Sequence, residues 1–297
     1  MSATRTRLTM PNLIVIGAAK CATTSLHGYL DAHPEIQMAR PAAAVRGNND
    51  EAPKEMRFFW RDDWRTQLEW YASHFDRDAP VRGEATPAYS AHPFHAGVPA
   101  RIAEVAPDAK LVYLVRDPIE RLLAHWVQAR VDGLRATLPE LLAKPGWEDH
   151  QIACPSRYAT QVERYLDHFP AEQLLVVDQA ELRAERDTTL ARVFAFVGVD
   201  DAFRSEAFAV ERNTRAEKLA LTRPGAPLYR RLLDPAGRRV APEQWAVRGP
   251  QVRRALSRPV PRPELDAASR RRIEQVFAPE ADRLRAITGQ AFAGWSV

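Results

Sequence analysis

A turn of small residues carrying one lysine and three hydroxyls occupies Gly17-Ala18-Ala19-Lys20-Cys21-Ala22-Thr23-Thr24-Ser25. Set between a strand and a helix, such a turn binds a phosphate-like group. Backbone N–H groups at the helix N-terminus converge on the anion, the ammonium adds a point charge, and the hydroxyls donate to the remaining oxygens. Ala19, Lys20, Cys21, Ala22, Thr23, Thr24 and Ser25 are therefore the first candidate binding residues. A second cationic candidate is Arg116, directly ahead of Asp117-Pro118-Ile119-Glu120. Its guanidinium fork matches a phosphate monoester, and its competing use is an ion pair with Glu120.

The spelling of the turn narrows the ligand. The cradle for ATP and GTP reads G-x-x-x-x-G-K-S/T. Counted from Gly17, its second glycine would fall on Ala22 and its lysine on Thr23. The lysine here comes earlier and the hydroxyls follow it, which is a different loop.

Both candidates need elements to hold them. Leu13-Ile-Val-Ile16, Lys110-Leu-Val-Tyr-Leu-Val115 and Gln173-Leu-Leu-Val-Val177 are short apolar runs that read as buried parallel strands. Helices are expected over 23–32, 64–75, 156–169, 188–197 and 266–288, the last with a pause at Pro279. The best-marked helix starts at Asp117, with aspartate as N-cap, proline at N1 and glutamate three residues after the cap, and runs to about Val131. Residues 39–53 read as a mobile loop. Strands alternating with helices imply an α/β fold, a P-loop-like central parallel β-sheet flanked by helices on both faces. In such sheets ligands bind beyond the carboxyl ends of the strands, where both cationic motifs lie.

Composition bounds the rest. The chain of 297 residues is 45% apolar, enough for one large α/β domain or two small ones. A net charge of +4, with arginines in scattered doublets, suits a small anionic ligand and is too mild for nucleic acid. No apolar run reaches the roughly eighteen residues of a membrane span, and the start lacks the apolar stretch of a signal peptide. Two cysteines, one of them inside the cradle, build no disulfide framework, so reduced thiols and a cytoplasmic setting are expected. No cluster has the spacing of metal ligands.

The cradle resembles the 5′-phosphosulfate loop of sulfotransferases, G-x-x-K-x-G/A-T-T/S-S/A-L. Arg116 to Trp126 resembles the same family's 3′-phosphate motif, R-x-P-x-x-R-x-x-S-x-Y/F, with Ala124 where the family has serine. Lys54-Glu-Met-Arg-Phe-Phe59 is similar to its K-E-x-x-F/Y-F/W segment, and Gly83-Glu-Ala-Thr-Pro-Ala-Tyr89 to its G-E-K/A-S/T-P-x-Y segment. Ser156 to Leu166, and Phe277 to Gly289, look like its later helices. On these matches the chain resembles the sulfotransferases that use 3′-phosphoadenosine-5′-phosphosulfate (PAPS), nearer the heparan-sulfate-type and bacterial branch than the steroid type. The resemblance covers most of residues 1–297 as one domain, with 200–262 the least certain stretch and a candidate acceptor lid.

The resemblance implies a division of labour. PAPS is the donor and 3′-phosphoadenosine 5′-phosphate (PAP) the product, with no metal. Glu55 is the general base, with Phe58 and Phe59 as apolar surroundings; the competing reading is a surface ion pair with Lys54 or Arg57. Lys20 binds the donor and stabilises the leaving phosphate. Arg116 anchors the 3′-phosphate, with one hydroxyl contact missing at Ala124. Arg215 and Lys218 fall where the family places a basic loop over the nucleotide. His125 is the alternative base, or a structural histidine. Arg57 is expected to contact the acceptor; Thr86 and Tyr89 either line the acceptor pocket or pack at a turn, and Tyr229 and Trp245 either form its lid or anchor surface loops. Glu84 is open between a second acid in the site and a partner for an arginine, while Arg121 reads as a solvated or ion-paired face. The acceptor is expected to be a small molecule, possessing a hydroxyl or an amine, and its identity is not legible. Two other functions stay open from sequence: a P-loop kinase or NTPase, against which the missing Gly-Lys pair speaks, and a non-catalytic nucleotide-binding module.

Overall fold

A computed structural model describes residues 8–41, 54–210, 218–222 and 224–297. Five parallel strands form the central sheet in the order β2-β3-β1-β4-β5. They are β1 (Leu13–Gly17), β2 (Ile36–Met38), β3 (Val81–Ala85), β4 (Lys110–Val115) and β5 (Leu174–Asp178). β1 pairs with β3 from Leu13↔Gly83 and with β4 from Leu13↔Lys110. The three apolar runs are β1, β4 and β5, as the sequence predicts.

β2 and β3 are additions. β3 reads Val-Arg-Gly-Glu-Ala and lies between two other strands although it carries two charges. Tertiary partners absorb them: the Arg82 guanidinium donates to Met10 O at 3.1 Å and Ala79 O at 2.7 Å, and Glu84 is held by hydroxyls. No local pattern reveals such a strand.

After β1 the chain moves toward β2, and after β4 it moves the other way, toward β5. Right-handed crossovers therefore put their helices on opposite faces of the sheet. The helix Thr23–Asp31 packs through Tyr29 on Phe208, while Tyr158, at the start of the helix Tyr158–Leu166, meets Tyr113 of β4. The reversal between β1 and β4 opens the crevice in which such sheets bind ligands.

The helix Pro118–Asp132 starts as predicted, with Asp117 accepting the Glu120 N–H at 2.8 Å, and Gly133 ends it at φ 113°. It packs in a second apolar cluster with Trp147 and with Ile273 and Phe277 of the helix Ala267–Thr288. Residues 225–255 are largely helical, and the antiparallel pair β6 (Leu219–Leu221) and β7 (Ser257–Pro259) closes them off. Their weak periodicity reflects helices that bury little. β6 lies against the helix Pro118–Asp132. Among the described residues no helix is long and apolar enough to cross a membrane.

Candidate active site

Gly17 ends β1 where no side chain fits: a Cβ there would stand 1.8 Å from Ser90 Oγ and 2.8 Å from the Tyr113 ring. The Ala18 N–H then donates to Leu114 O at 2.7 Å, and the Cys21 N–H returns to Ala18 O at 3.2 Å. The third residue of this turn is Lys20. It has φ 74° and Ala22 has φ 65°, left-handed conformations that such residues hold only where the surroundings enforce them. Ala22 is the N-cap of the helix Thr23–Asp31 and gives it no side-chain cap, so this position does not compete with an anion for the first-turn N–H groups. Ala19 and Thr24 are half-buried beside it, and Thr23 and Ser25 are buried.

Cys21 departs from the expected contact with the ligand. Its side chain is fully buried, with Sγ 3.6 Å from Tyr158 Oη, and burial pushes the thiol up to about 11. Its N–H is used within the turn. Cys21 shapes the cradle from inside.

Lys20 Nζ donates to Gln128 Oε1 at 3.2 Å, and Gln128 passes its own N–H to Asp132 at 3.2 Å. Burial first, then the Lys218 ammonium, lower the Lys20 pKa to about 8; Asp132 and Glu55 pull it up, and Arg121 lowers it further. Three cations thus crowd one loop, and an arriving anion relieves them. The packing of β6 brings Lys218 here, which the loose sequence pattern around it did not require. Arg215 lies outside the described residues.

Arg116 stands at the tip of β4, 18% exposed, with Nη2 2.9 Å from Glu120 Oε2. Arg262 holds the other oxygen of the same carboxylate. The competing ion pair of Arg116 with Glu120 is therefore present, with a second arginine added to it. Tyr158 Oη accepts the Arg116 N–H at 3.3 Å and also meets Cys21, so one hydroxyl ties the tip of β4 to the cradle after β1. The backbones that carry the two cationic motifs are thus joined through Tyr158. Ala124 is half-buried on the helix between them and offers no hydroxyl; Arg262 is the basic group that the sequence did not single out there.

Glu55 carries its expected ion pair with Arg57: Nε and Nη2 both lie 3.0 Å from Oε2. Arg57, expected to contact an acceptor, is thus tied to Glu55 and lies over the Trp60 ring. Phe58 and Phe59 are both fully buried, Phe58 stacked on Tyr71 at 3.9 Å and Phe59 edge-on to Tyr89 at 5.6 Å. They anchor in the core the segment that follows Glu55.

Thr86 and Tyr89 pack at their turn, one of the two expectations for them. Both are buried, and their hydroxyls donate to Glu84 at 2.9 and 3.0 Å. Glu84 is 0% exposed, and Tyr71 Oη completes its shell at 2.6 Å. Burial pushes its carboxyl up to about 7, against the hydrogen bonds from Tyr71, Thr86 and Tyr89. Its partners are hydroxyls, not an arginine.

Arg121 is the largest departure from sequence reasoning. It is 0% exposed, not solvated. Its guanidinium donates to Ser156 Oγ at 2.5 Å, to Ile152 O, and to Ala19 O in the cradle at 3.4 Å. It also lies 3.1 Å from His125 Nδ1. Burial, then Arg121 and Lys20, hold His125 well below the usual imidazole range. Tyr229 and Trp245 stack on each other at 6.3 Å and bond to Gly249 O and Asp234 respectively. They anchor their own helices.

Three comparisons bear on this arrangement. The family model described as "Sulfotransferase family" matches residues 11–203. Bifunctional heparan sulfate N-deacetylase/N-sulfotransferase 4 of Mus musculus is 29% identical over 215 residues, 68% of this chain and 24% of that protein. The corresponding protein 3 of Mus musculus is 30% identical over 218 residues, again 68% and 24%. The chain thus spans about a quarter of the length of these curated relatives. In three dimensions, a sulfotransferase from Alicyclobacillus acidocaldarius shares the fold with a TM-score of 0.61, covering 97% of this chain and 100% of that one at 21% identity.

Proposed function

This chain belongs to the sulfotransferase family, and from that premise we propose that it moves a sulfuryl group from PAPS to a hydroxyl or amine of a small-molecule acceptor. The observation that carries the proposal is the cradle after β1: Gly17 admits no side chain, Lys20 and Ala22 are left-handed, and the helix that follows starts without a side-chain cap beside the Lys20 ammonium. The donor fits the residues present. Lys20, Lys218 and Arg121 concentrate positive charge at the cradle, and Arg116 and Arg262 do so at the tip of β4. A nucleotide with phosphate at both ends is complementary to two such clusters.

The residues act in sequence. The first-turn N–H groups with Thr23, Thr24 and Ser25 hold the 5′ end, and Arg116 holds the 3′-phosphate. Both Arg57 contacts fall on Oε2 of Glu55, so Oε1 is the atom that takes the acceptor's proton. Glu55 removes that proton as the acceptor's electron pair forms the new bond to sulfur. Lys20 meets the electron pair that the bridging phosphate oxygen keeps when its bond to sulfur breaks. The donor supplies the activated sulfuryl group; the chain supplies position and charge.

Heparan sulfate stands in the names of the curated relatives and belongs to those proteins. The modest charge of this chain, +4 without a basic stripe, favours a small acceptor such as a sugar, a specialised metabolite or a lipid head group. The test is PAP release from PAPS with a panel of such acceptors. Glu55→Gln is expected to abolish turnover and leave nucleotide binding intact. Unchanged turnover in that variant removes Glu55 from the role of base.

A further inference from the structure

We propose that Glu84 is the positioning residue of this site: through the hydroxyls of Thr86 and Tyr89 it fixes the backbone turn that presents Glu55. The proposal rests on the reading of Glu55 as the base. Three hydroxyls, from Tyr71, Thr86 and Tyr89, donate to the two oxygens of one fully buried carboxylate. A hydroxyl has a single proton. Once that proton is committed to Glu84, the oxygen has only lone pairs left to offer. In this structure those lone pairs are taken by backbone N–H groups of the segment that follows Glu55. Thr86 Oγ1 accepts the Arg57 N–H at 3.2 Å. Tyr89 Oη accepts the Phe58 N–H at 2.9 Å and the Phe59 N–H at 3.3 Å.

The turn needs such support. Arg57 has φ 54°, a left-handed conformation in an arginine, two residues after Glu55. Such a residue relaxes unless neighbouring groups over-determine it. Here its N–H is pinned from one side, and Phe58 and Phe59 are locked into the core from the other. A buried carboxylate is a costly way to fill space that an apolar side chain fills well. What it adds is a fixed direction for two hydroxyl protons, which sets the acceptor lone pairs at the backbone. Glu84 touches neither donor nor acceptor and acts only through this relay.

The experiment uses the full chain and reads two quantities. The first is amide hydrogen exchange at Arg57, Phe58 and Phe59 without substrate, which does not depend on the role of Glu55. The second is PAP release, separated into kcat and KM for the donor. Glu84→Gln and Thr86→Val are expected to speed exchange at these amides selectively and to lower kcat by about tenfold to a hundredfold, with KM for the donor unchanged. Thr86→Ser, which keeps the hydroxyl, is expected to recover most of the loss seen in Thr86→Val. Should Glu84→Gln fail to fold, Thr86→Val and Tyr89→Phe carry the same test. Wild-type exchange and kcat in these variants overturn the proposal, as does exchange that rises equally across the whole sheet, or a Thr86→Ser that behaves like Thr86→Val. If Glu55→Gln retains turnover while exchange responds as expected, the base assignment falls and the positioning of the turn stands.

Discussion

Arg121 Nη1 lies 3.1 Å from Nδ1 of His125, one helical turn along. A guanidinium has only donors, so Nδ1 must accept and the imidazole's one proton sits on Nε2. The nitrogen that a base would use is occupied. Burial and the charges of Arg121 and Lys20 keep the ring neutral around pH 7. His125 is then a neutral donor at the edge of the cradle, not an alternative base. His125→Gln is expected to lower kcat by less than the roughly hundredfold that loss of a general base costs. The kcat–pH profile between 6 and 8 should keep its shape in this variant. A loss as deep as that of Glu55→Gln would return His125 to the role of base.

The same pair shows how far sequence carries in this protein. β1, β4 and β5 were legible because a strand buried on both faces is apolar at every position. The Asp117 cap was legible because capping is local chemistry. Arg121 was not, because its partners Ala19 and Ser156 lie 102 and 35 residues away. β3 escaped for a similar reason: Glu84 is tolerated there only through Tyr71, thirteen residues earlier, and the hydroxyls that follow it. The cradle, Arg116 and Glu55 could be picked out by their motifs. That Glu120 and Arg262 clasp Arg116's surroundings, and that Thr86 and Tyr89 face inward, required the fold.

Lys20 should make nucleotide affinity depend on pH. Burial and Lys218 hold its pKa near 8 in the free protein. A bound phosphate or phosphosulfate favours the ammonium and raises that value. Below pH 8 the lysine is already charged and affinity is flat. Above pH 8 binding must take up a proton, so the dissociation constant for PAP rises by as much as about tenfold per pH unit until the bound-state pKa is reached. Calorimetry in buffers of different ionisation enthalpy should show this proton uptake at pH 9. Lys20→Met should bind more weakly and lose the slope. An identical slope in that variant would assign the proton elsewhere.

Glu84 should leave a mark on stability as well as on geometry. Its folded pKa, about 7, lies above the ordinary 4.5. Between these values the unfolded chain has released the proton and the folded chain retains it. Stability from this group therefore falls as pH rises from 4.5 to 7 and levels off above, by up to about 3 kcal/mol. Urea unfolding across this range should show the decline in the wild type and a flatter course in Glu84→Gln. A wild type that gains stability over the same window, with the variant unchanged in slope, would contradict a buried carboxyl that holds its proton.

Glu120 bears on donor selectivity. Its two oxygens are claimed by Arg116 and Arg262, the pair proposed to face the 3′-phosphate. The neighbouring carboxylate presents a negative charge to an incoming dianion while keeping both forks in place. Burial disfavours its charge, but the two arginines prevail and hold its carboxyl below the ordinary value, so it remains ionised at pH 7. Arg116→Ala is expected to erase the preference for adenosine 3′,5′-bisphosphate over adenosine 5′-phosphate, while Arg262→Ala reduces it in part. Glu120→Gln removes the repulsion and also loosens the two arginines, and these effects oppose each other. Charge sets the sign, and affinity for the bisphosphate is expected to rise by several-fold, more at low salt than at high. Equilibrium binding of both nucleotides to the three variants reads the result. An Arg116→Ala variant that still prefers the bisphosphate would move the 3′-phosphate away from the tip of β4.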